Sequence, residues 1–384
     1  MRGHLLLTGA TGLIGRYLLL DLLQSGSPPA VLVRPQGSLS GRDRIEAIVA
    51  ELECDTGMVL PRPVCLEGDI ATPGLGLNAE SQAWVRRNCG RLLHNAASVT
   101  FEGDDRAQEP WRSNLLGAHQ VLAFAAASEI GELHWVSTAY VCGRRRGKIM
   151  ETDCHNGDGF RNAYENSKLE AELLVRNAAG VDSLTVYRPS IVVGDSRTGY
   201  TNSYHNIYLF LQFTHILSQT TTRQVDGRWH HPVRLTFSGD EVLNLVPVDW
   251  VAGAISRIVQ TPALHGRTYH LTHPEPTTCG VMEAALSRYF NYYGVEFVGP
   301  HGIPPGEATE LEQMFYSALA AHDSYWNEHP DFDCGNTKAA LPEWPCPRID
   351  VSNLLRLFEF ASRHHFGKKR GRARATSRER VAEH

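Results

Sequence analysis

The chain is short of lysine. Of its 37 basic residues only five are lysine, the other 32 being arginine. It also lacks a cationic surplus: the formal net charge is −5, whereas a protein that grips nucleic acid concentrates positive charge on one face, so no nucleic-acid partner is expected. No apolar run is long enough for a bilayer. The longest, "IYLFLQFTHIL" at 207–217, has 11 residues and is interrupted by Gln and His, against the roughly 20 that a membrane helix needs. The opening "MRGHLLLTGATG" leads straight into a short apolar run and a glycine turn without an apolar leader and cleavage site, and a cytoplasmic location is expected. Eight cysteines contain no C-x-x-C pair, and 18 histidines are scattered without H-E-x-x-H. Reduced thiols, most of them buried, and no metal site follow as expectations.

What is present is a globular composition, 42% hydrophobic and 21% charged, in a chain of 384 residues, enough for one large α/β domain or two smaller ones. The first half alternates β-rich runs with helical patterns. Strands are expected at 4–9, 30–34, 64–69, 91–96, 133–141 and 183–194, and helices near 14–24, 79–88, 111–128 and 162–179. That alternation predicts an open, doubly wound parallel sheet of Rossmann type. The rhythm breaks at 195 and returns with "VPVDWVAGAISRIVQ" and "GRTYHLTHP" as a helix and a strand. Residues 1–194 plus 237–275 are therefore expected to form a dinucleotide-binding domain. Residues 195–236 plus 276–366 would form a smaller, discontinuous substrate-binding lobe, and the basic stretch 367–384 a disordered tail.

In "LLLTGATGLIGRYLLLDLL" the triplet Gly9, Gly12, Gly15 lies between a predicted strand and a predicted helix. In that context one glycine permits the tight turn, the next lets backbone N–H groups approach a pyrophosphate, and Gly15 lets helix and strand pack closely. The pyrophosphate would lie on the positive end of the helix. About twenty residues further on, where an acid would bind the ribose 2′-hydroxyl of NAD, stands Arg34. A guanidinium fork suits the 2′-phosphate of NADP, and Arg44 in "GRDRIE" could close over it; both could equally be surface cations. Asp69 and Ile70 in "EGDI" end the third predicted strand, where an adenine ring would lie.

Tyr164 and Lys168 in "AYENSK" are four apart on a predicted helix and so share a face. Thirteen tyrosines and five lysines would produce that spacing about 0.2 times by chance, and its position is what gives it weight. An ammonium beside the phenol is expected to move its pKa down from about 10 toward working pH. Such a phenol can exchange a proton with an oxygen whose carbon exchanges hydride with nicotinamide, while the lysine bonds the nicotinamide ribose. In "HWVSTAYVCG" Ser137 and Thr138 end the fifth predicted strand, at the sheet edge where ligands bind. Thr138 is the first choice to hold the substrate oxygen and Ser137 the second, since alternate strand residues face opposite ways.

Together "TGATGLIG", "HNAASV", "NLLG", "VSTAYV", "YENSK" and "YRPSIVVG" resemble the extended short-chain dehydrogenase/reductases over roughly residues 4–275. Within that group "HNAASVTF", "ETD" and "YENSKLEAELLV" are most similar to the thioester reductases: the terminal reductase domains of peptide and polyketide synthases, carboxylic acid reductases and fatty acyl-CoA reductases (male-sterility type). The resemblance implies NADPH-dependent reduction of an acyl thioester, on CoA or on a carrier protein, to an aldehyde and in some members to an alcohol. It implies a catalytic set of Thr138, Tyr164 and Lys168. It also implies cofactor contacts from Thr8, Gly9, Thr11, Gly12, Leu13, Ile14, Gly15, Arg34, Arg44, Asp69, Ile70, Asn95, Ala96, Ala97, Ser137, Lys168, Pro189 and Ser190. The loop "GRRRGK" (143–148), with Arg144 to Arg146, is a candidate to meet a phosphopantetheine phosphate or an acidic carrier, or is simply solvated. The run at 207–217 is a candidate acyl channel or lid, or a core helix. Two other readings stand beside this one: an NADP(H)-dependent ketoreductase or epimerase acting on a sugar nucleotide, steroid or other small alcohol, and a cofactor-sensing protein without catalysis.

Overall fold

The apolar runs near the N-terminus are buried on both faces, which for short strands is stable only in a parallel sheet covered by helices on each side. In the computed structural model, which describes all residues except 1, 27, 155–157, 206, 221–223, 300, 305, 320–324, 327 and 368–384, they form that sheet. Its strands β1 (His4–Thr8), β2 (Ala30–Val33), β3 (Val64–Glu67), β4 (Cys89–His94) and β5 (Glu132–Val136) are joined by Ser183–Pro189 and Thr268–Leu271. All seven are parallel, in the order β3-β2-β1-β4-β5, then Ser183–Pro189, then Thr268–Leu271. The order reverses between β1 and β4, and a crevice opens at the carboxyl ends of the strands. Helices α1 (Leu13–Gln24), α2 (Gly41–Thr56), α3 (Ala79–Asn88), α4 (Gly117–Ala127), α5 (Ala163–Arg176), α6 (Ile207–Thr220) and α7 (Val248–Val259) follow in the chain. α1 and α7 pack on one face with Leu18, Leu19, Val251 and Ile255 in a buried core. α4 packs on the other with Val121, Phe124 and Trp135.

The Rossmann-type architecture is the one expected, with four local differences. α2 is an additional helix. Ser40 caps it, its hydroxyl accepting from the Asp43 N–H at 3.0 Å while the Asp43 carboxylate accepts from the Ser40 N–H at 3.2 Å, and Ile45, Val49 and Leu52 turn inward. The fifth strand stops at Val136, well short of residue 141. There the Thr138 hydroxyl accepts from the Tyr140 N–H at 3.3 Å and starts a 3-10 turn, Ala139–Cys142, in place of a longer ladder. The run 183–194 divides at Ser190, and Ile191–Val193 pairs separately with Leu245–Pro247. Of the eight cysteines, all free, four are buried, where most were expected to be.

A three-stranded sheet of Gln224–Val225, Arg228–Leu235 and Tyr292–Phe297 packs with α6 and the helices Cys279–Phe290 and Val351–Arg363 around a second core. Phe210, Leu211, Phe237, Met282 and Phe358 fill it. Ala139 and Tyr140 from the turn after β5, with Ile149 from the short strand Lys148–Ile149, belong to this same core. α6, which contains the run at 207–217, buries Ile207, Tyr208 and Leu211 there, while its Leu209 lines the crevice at the carboxyl ends of the strands. Among the described residues no helix is long and apolar enough to cross a membrane. The expected tail at 368–384 lies outside the described residues.

Candidate active site

The carboxyl end of β1 turns back at Gly9, whose φ of +74° favours glycine, and a Cβ there would stand 2.6 Å from the Ala96 nitrogen. Gly15 is equally constrained: a Cβ would meet the Gly9 carbonyl oxygen at 1.9 Å. Gly12 precedes α1 without a side-chain cap, and the first turn of the helix holds no acid. Its backbone N–H groups and the positive end of its dipole therefore face the crevice unopposed, which is the chemistry of an anion site. Thr8 is buried behind this turn: its hydroxyl meets His94 Nδ1 at 2.9 Å and accepts the N–H groups of Asn95 and Ala96, each at 3.2 Å. Asn95 Nδ2 donates to the Gly9 carbonyl at 3.2 Å. The segment after β4 is thereby clamped to the segment after β1.

Beyond the turn, at the end of β2, Arg34 is 56% exposed, and Arg44 on α2 donates to its carbonyl at 2.6 Å. The two guanidiniums oppose one another: burial and the neighbouring Arg34 charge hold the Arg44 pKa down. An anion between them would relieve that repulsion. Asp69 sits two residues past the end of β3, its carboxylate 3.7 Å from Arg34 and 3.3 Å from Arg112. Burial opposes its ionisation, but the Ala71 N–H and the two arginines outweigh it and hold the pKa below the usual range.

Asn162 caps α5 by accepting from the Glu165 N–H at 3.0 Å, which sets the helix so that Tyr164 and Lys168 face the end of β5. The Lys168 amine donates to the Val136 carbonyl at 2.8 Å. Burial draws its pKa down to about 8, against the pull of Glu172. The expected depression of the Tyr164 pKa is corrected by the structure: burial pushes it up to about 12, opposed by the Thr138 hydroxyl and reinforced by the Glu165 charge. Lys168 is not among the groups that act on it, since its amine is drawn to the Val136 carbonyl. Thr138 also donates to the Pro189 carbonyl at 3.3 Å. Ser137 Oγ is buried without a well-formed hydrogen bond, yet close enough to Glu172 to favour its carboxylate. Ser190 donates to Asn244 Oδ1 at 2.8 Å.

One continuous cleft of 880 Å³ joins these groups. Its lining includes Gly9, Thr11, Gly12, Leu13, Ile14, Arg34, Arg44, Ile70, Asn95, Ala96, Ala97, Ser137, Thr138, Tyr164, Lys168, Pro189 and Ser190. Of the site residues expected from sequence, Thr8, Gly15 and Asp69 stand behind that lining as supports.

Phe101, Tyr140, Asn202, His205, Leu209 and Tyr325 line its far end; Phe101 and Tyr140 stand in the "HNAASVTF" and "VSTAYV" segments and Leu209 in the run at 207–217, whereas no motif singled out Asn202 or His205. Asn114, buried in a π-turn before α4, accepts from the Ser98 N–H at 2.8 Å and donates to Ser167 on α5 at 2.9 Å. It fixes the 95–100 segment against α5. "NLLG" was the available signal for it. The "GRRRGK" loop is paired within the chain: Arg144 and Arg146 approach Glu328 at 3.1 and 3.8 Å, and Arg145 approaches Asp153 at 2.7 Å. Arg161, 1% exposed, joins the same knot, with Glu165 at 3.4 Å and Glu328 at 3.8 Å.

A family model described as Male sterility protein matches residues 7–255. The non-canonical nonribosomal peptide synthetase FrzA of Cladobotryum sp is 25% identical over 389 residues, 93% of this chain and 36% of that protein. Aldehyde reductase lnaA of Aspergillus flavus is 24% identical over 375 residues, 89% of this chain and 34% of that protein. The chain thus spans well under two thirds of the length of either relative. Among solved structures, the terminal R domain from the myxalamid PKS-NRPS biosynthetic pathway superimposes with a TM-score of 0.74 at 26% identity, covering 94% of this chain and 91% of that one.

Proposed function

The chain belongs to the Male sterility protein family, and on that premise we propose that it reduces an acyl thioester to an aldehyde with NADPH. The observation that carries this reading is the single cleft that runs from Arg34 and Arg44, past the glycine turn, to Thr138, Tyr164 and Lys168. The aldehyde reductase, the peptide synthetase and the terminal R domain that the chain resembles support it. Residues 1–194 and 237–275 hold the dinucleotide, and 195–236 with 276–366 hold the acyl group.

The residues present fit the cofactor. Gly9 leaves the space a Cβ would fill, the uncapped start of α1 receives the pyrophosphate, and Asn95, Ala96, Ala97 and Ile70 line its path. Arg34 and Arg44 select the 2′-phosphate. When bound, the nicotinamide supplies hydride to the thioester carbonyl carbon. Tyr164, protonated across the working range, gives its proton to the carbonyl oxygen as that oxygen becomes an alkoxide, a stronger base than the phenolate left behind. Thr138 donates a hydrogen bond to the same oxygen, releasing the Pro189 carbonyl that it bonds at rest. Lys168, held by the Val136 carbonyl, would hydrogen-bond the nicotinamide ribose. Loss of the thiol from the resulting hemithioacetal releases the aldehyde. The acyl group arrives on a phosphopantetheine arm, which CoA and carrier proteins share.

The test is to incubate the purified protein with NADPH and a panel of acyl-CoA and acyl-carrier thioesters, trapping aldehyde. Aldehyde formed in step with NADPH consumption is expected. Turnover of free ketones without aldehyde would replace this reading with the ketoreductase, and binding without turnover would replace it with the sensor.

A further inference from the structure

At the amino end of β5, about 13 Å along the strand from the carbonyl that holds Lys168, two imidazoles and a carboxylate converge outside the cleft. Glu132 Oε1 lies 3.1 Å from His134 Nε2 and 3.4 Å from His265 Nδ1, and the ligand atoms of all three residues lie within 4.8 Å of one another. The two rings meet edge to face, their centroids 4.6 Å apart at 84°.

Hydrogen-bond accounting decides what this trio needs. His265 Nε2 is 3.0 Å from the Ile258 carbonyl, which can only accept, so Nε2 carries the proton. In the neutral ring the Nδ1 lone pair then points at a carboxylate, and two acceptors face each other unless a cation lies between them. His134, wholly buried, meets the Tyr187 hydroxyl through Nδ1 at 2.8 Å, and that oxygen can accept its N–H and leave Nε2 as a second lone pair toward Glu132. Each imidazole thus has on its other nitrogen the kind of partner that orients a metal ligand.

From this geometry we infer that Glu132, His134 and His265 form a zinc site. Zinc bonds of about 2.0–2.1 Å to nitrogen and 2.0–2.2 Å to oxygen give a tetrahedron with edges of about 3.3–3.5 Å; of the two edges to Glu132, 3.4 Å lies in that range and 3.1 Å just under it, and the third lies within 4.8 Å. Glu132 is 31% exposed, which provides an entry path and leaves the fourth position to water. Arg91, whose charge acts on both Glu132 and His134, is turned onto the Val259 carbonyl at 3.2 Å. Bound there, zinc ties β5 to the segment that links α7 to the edge strand Thr268–Leu271, and so acts on stability and not on hydride transfer.

The experiment titrates the chelator-treated full chain with zinc against a chromophoric indicator, and in parallel with cobalt, whose visible bands report tetrahedral coordination. One ion per chain is expected. Affinity should fall at least tenfold in both Glu132→Gln and His265→Gln, while NADPH binding, unchanged, shows that each variant is folded. Zinc should also raise the melting temperature of the parent and not of His265→Gln. Absence of stoichiometric binding, or binding that both variants retain, would overturn the site: the first leaves a proton between the groups, the second puts the ion on other histidines or cysteines.

Discussion

At the glycine turn the wall of the cleft is backbone: Gly9 and Gly12, the uncapped start of α1 and the clamp between Gly9 and Asn95. At the far end, around Tyr325, the wall is side chain. Tyr325 stacks on Phe101 at 5.8 Å and meets Tyr140 edge-on at 5.0 Å, while its hydroxyl accepts from Asn162, the cap of α5, at 2.9 Å. Arg161 lies 5.3 Å from the Tyr325 ring and donates to the Gly143 and Glu328 carbonyls. The first end presents the same peptide groups whatever the substrate, as a constant ligand requires. The second is assembled around Tyr325 from residues some 160 to 225 positions away, and its shape changes with any one of them.

The largest effect is expected where the two ends meet. Tyr164→Phe removes the proton donor and should lower turnover by about 10²–10⁴, with dinucleotide affinity measured by fluorescence titration unchanged. A variant as fast as the parent would dissolve the distinction between binding end and reacting centre. Next comes the side-chain wall: Arg161→Met leaves Glu165, fully buried, without its partner. A loss of about 3 kcal/mol in unfolding free energy is expected, the low end for a broken buried pair, because burial already raises the Glu165 pKa and a proton can replace the arginine. A carboxyl raised in the folded state binds its proton more tightly there than when unfolded, so stability is lost as pH rises. The defect in denaturant melts should therefore shrink toward acid pH.

A smaller effect is expected at the backbone end, because only its rim uses side chains. Arg34→Gln should weaken NADPH about tenfold, the worth of roughly one charge-assisted hydrogen bond, and leave NADH unchanged; equal losses for both would assign Arg34 to Asp69 alone. The mildest perturbation is pH. Lys168 titrates at about 8 in the protein as it stands, so kcat/KM should fall as pH climbs past 8 and the ammonium is lost. The same depression means this group by itself makes the fold more stable between pH 8 and 10.5, so the fall in rate would not report unfolding through it.

The contrast also explains what was readable. Gly9, Gly12, Gly15, Tyr164 and Lys168 announce themselves because a turn and a helix face are defined by spacing over a few residues. Helix α2, absent from the expected elements, was equally readable in the Ser40 and Asp43 pair with Ile45, Val49 and Leu52 behind it. The downward shift expected for Tyr164 failed for another reason: spacing puts two residues on one face but does not say that the lysine amine will prefer a carbonyl on β5.

By itself the sequence determined the strand–helix alternation of a parallel sheet, the glycine turn and the face shared by phenol and amine, because each depends on local periodicity and on backbone freedom at single residues. Tertiary structure alone decided that Arg144, Arg146 and Arg161 converge on Glu328, that Tyr325 closes the cleft, and that Glu132, His134 and His265 meet at the opposite edge of the sheet. Those meetings depend on which distant side chains the packed layers bring within a few ångströms, and no local pattern encodes that distance.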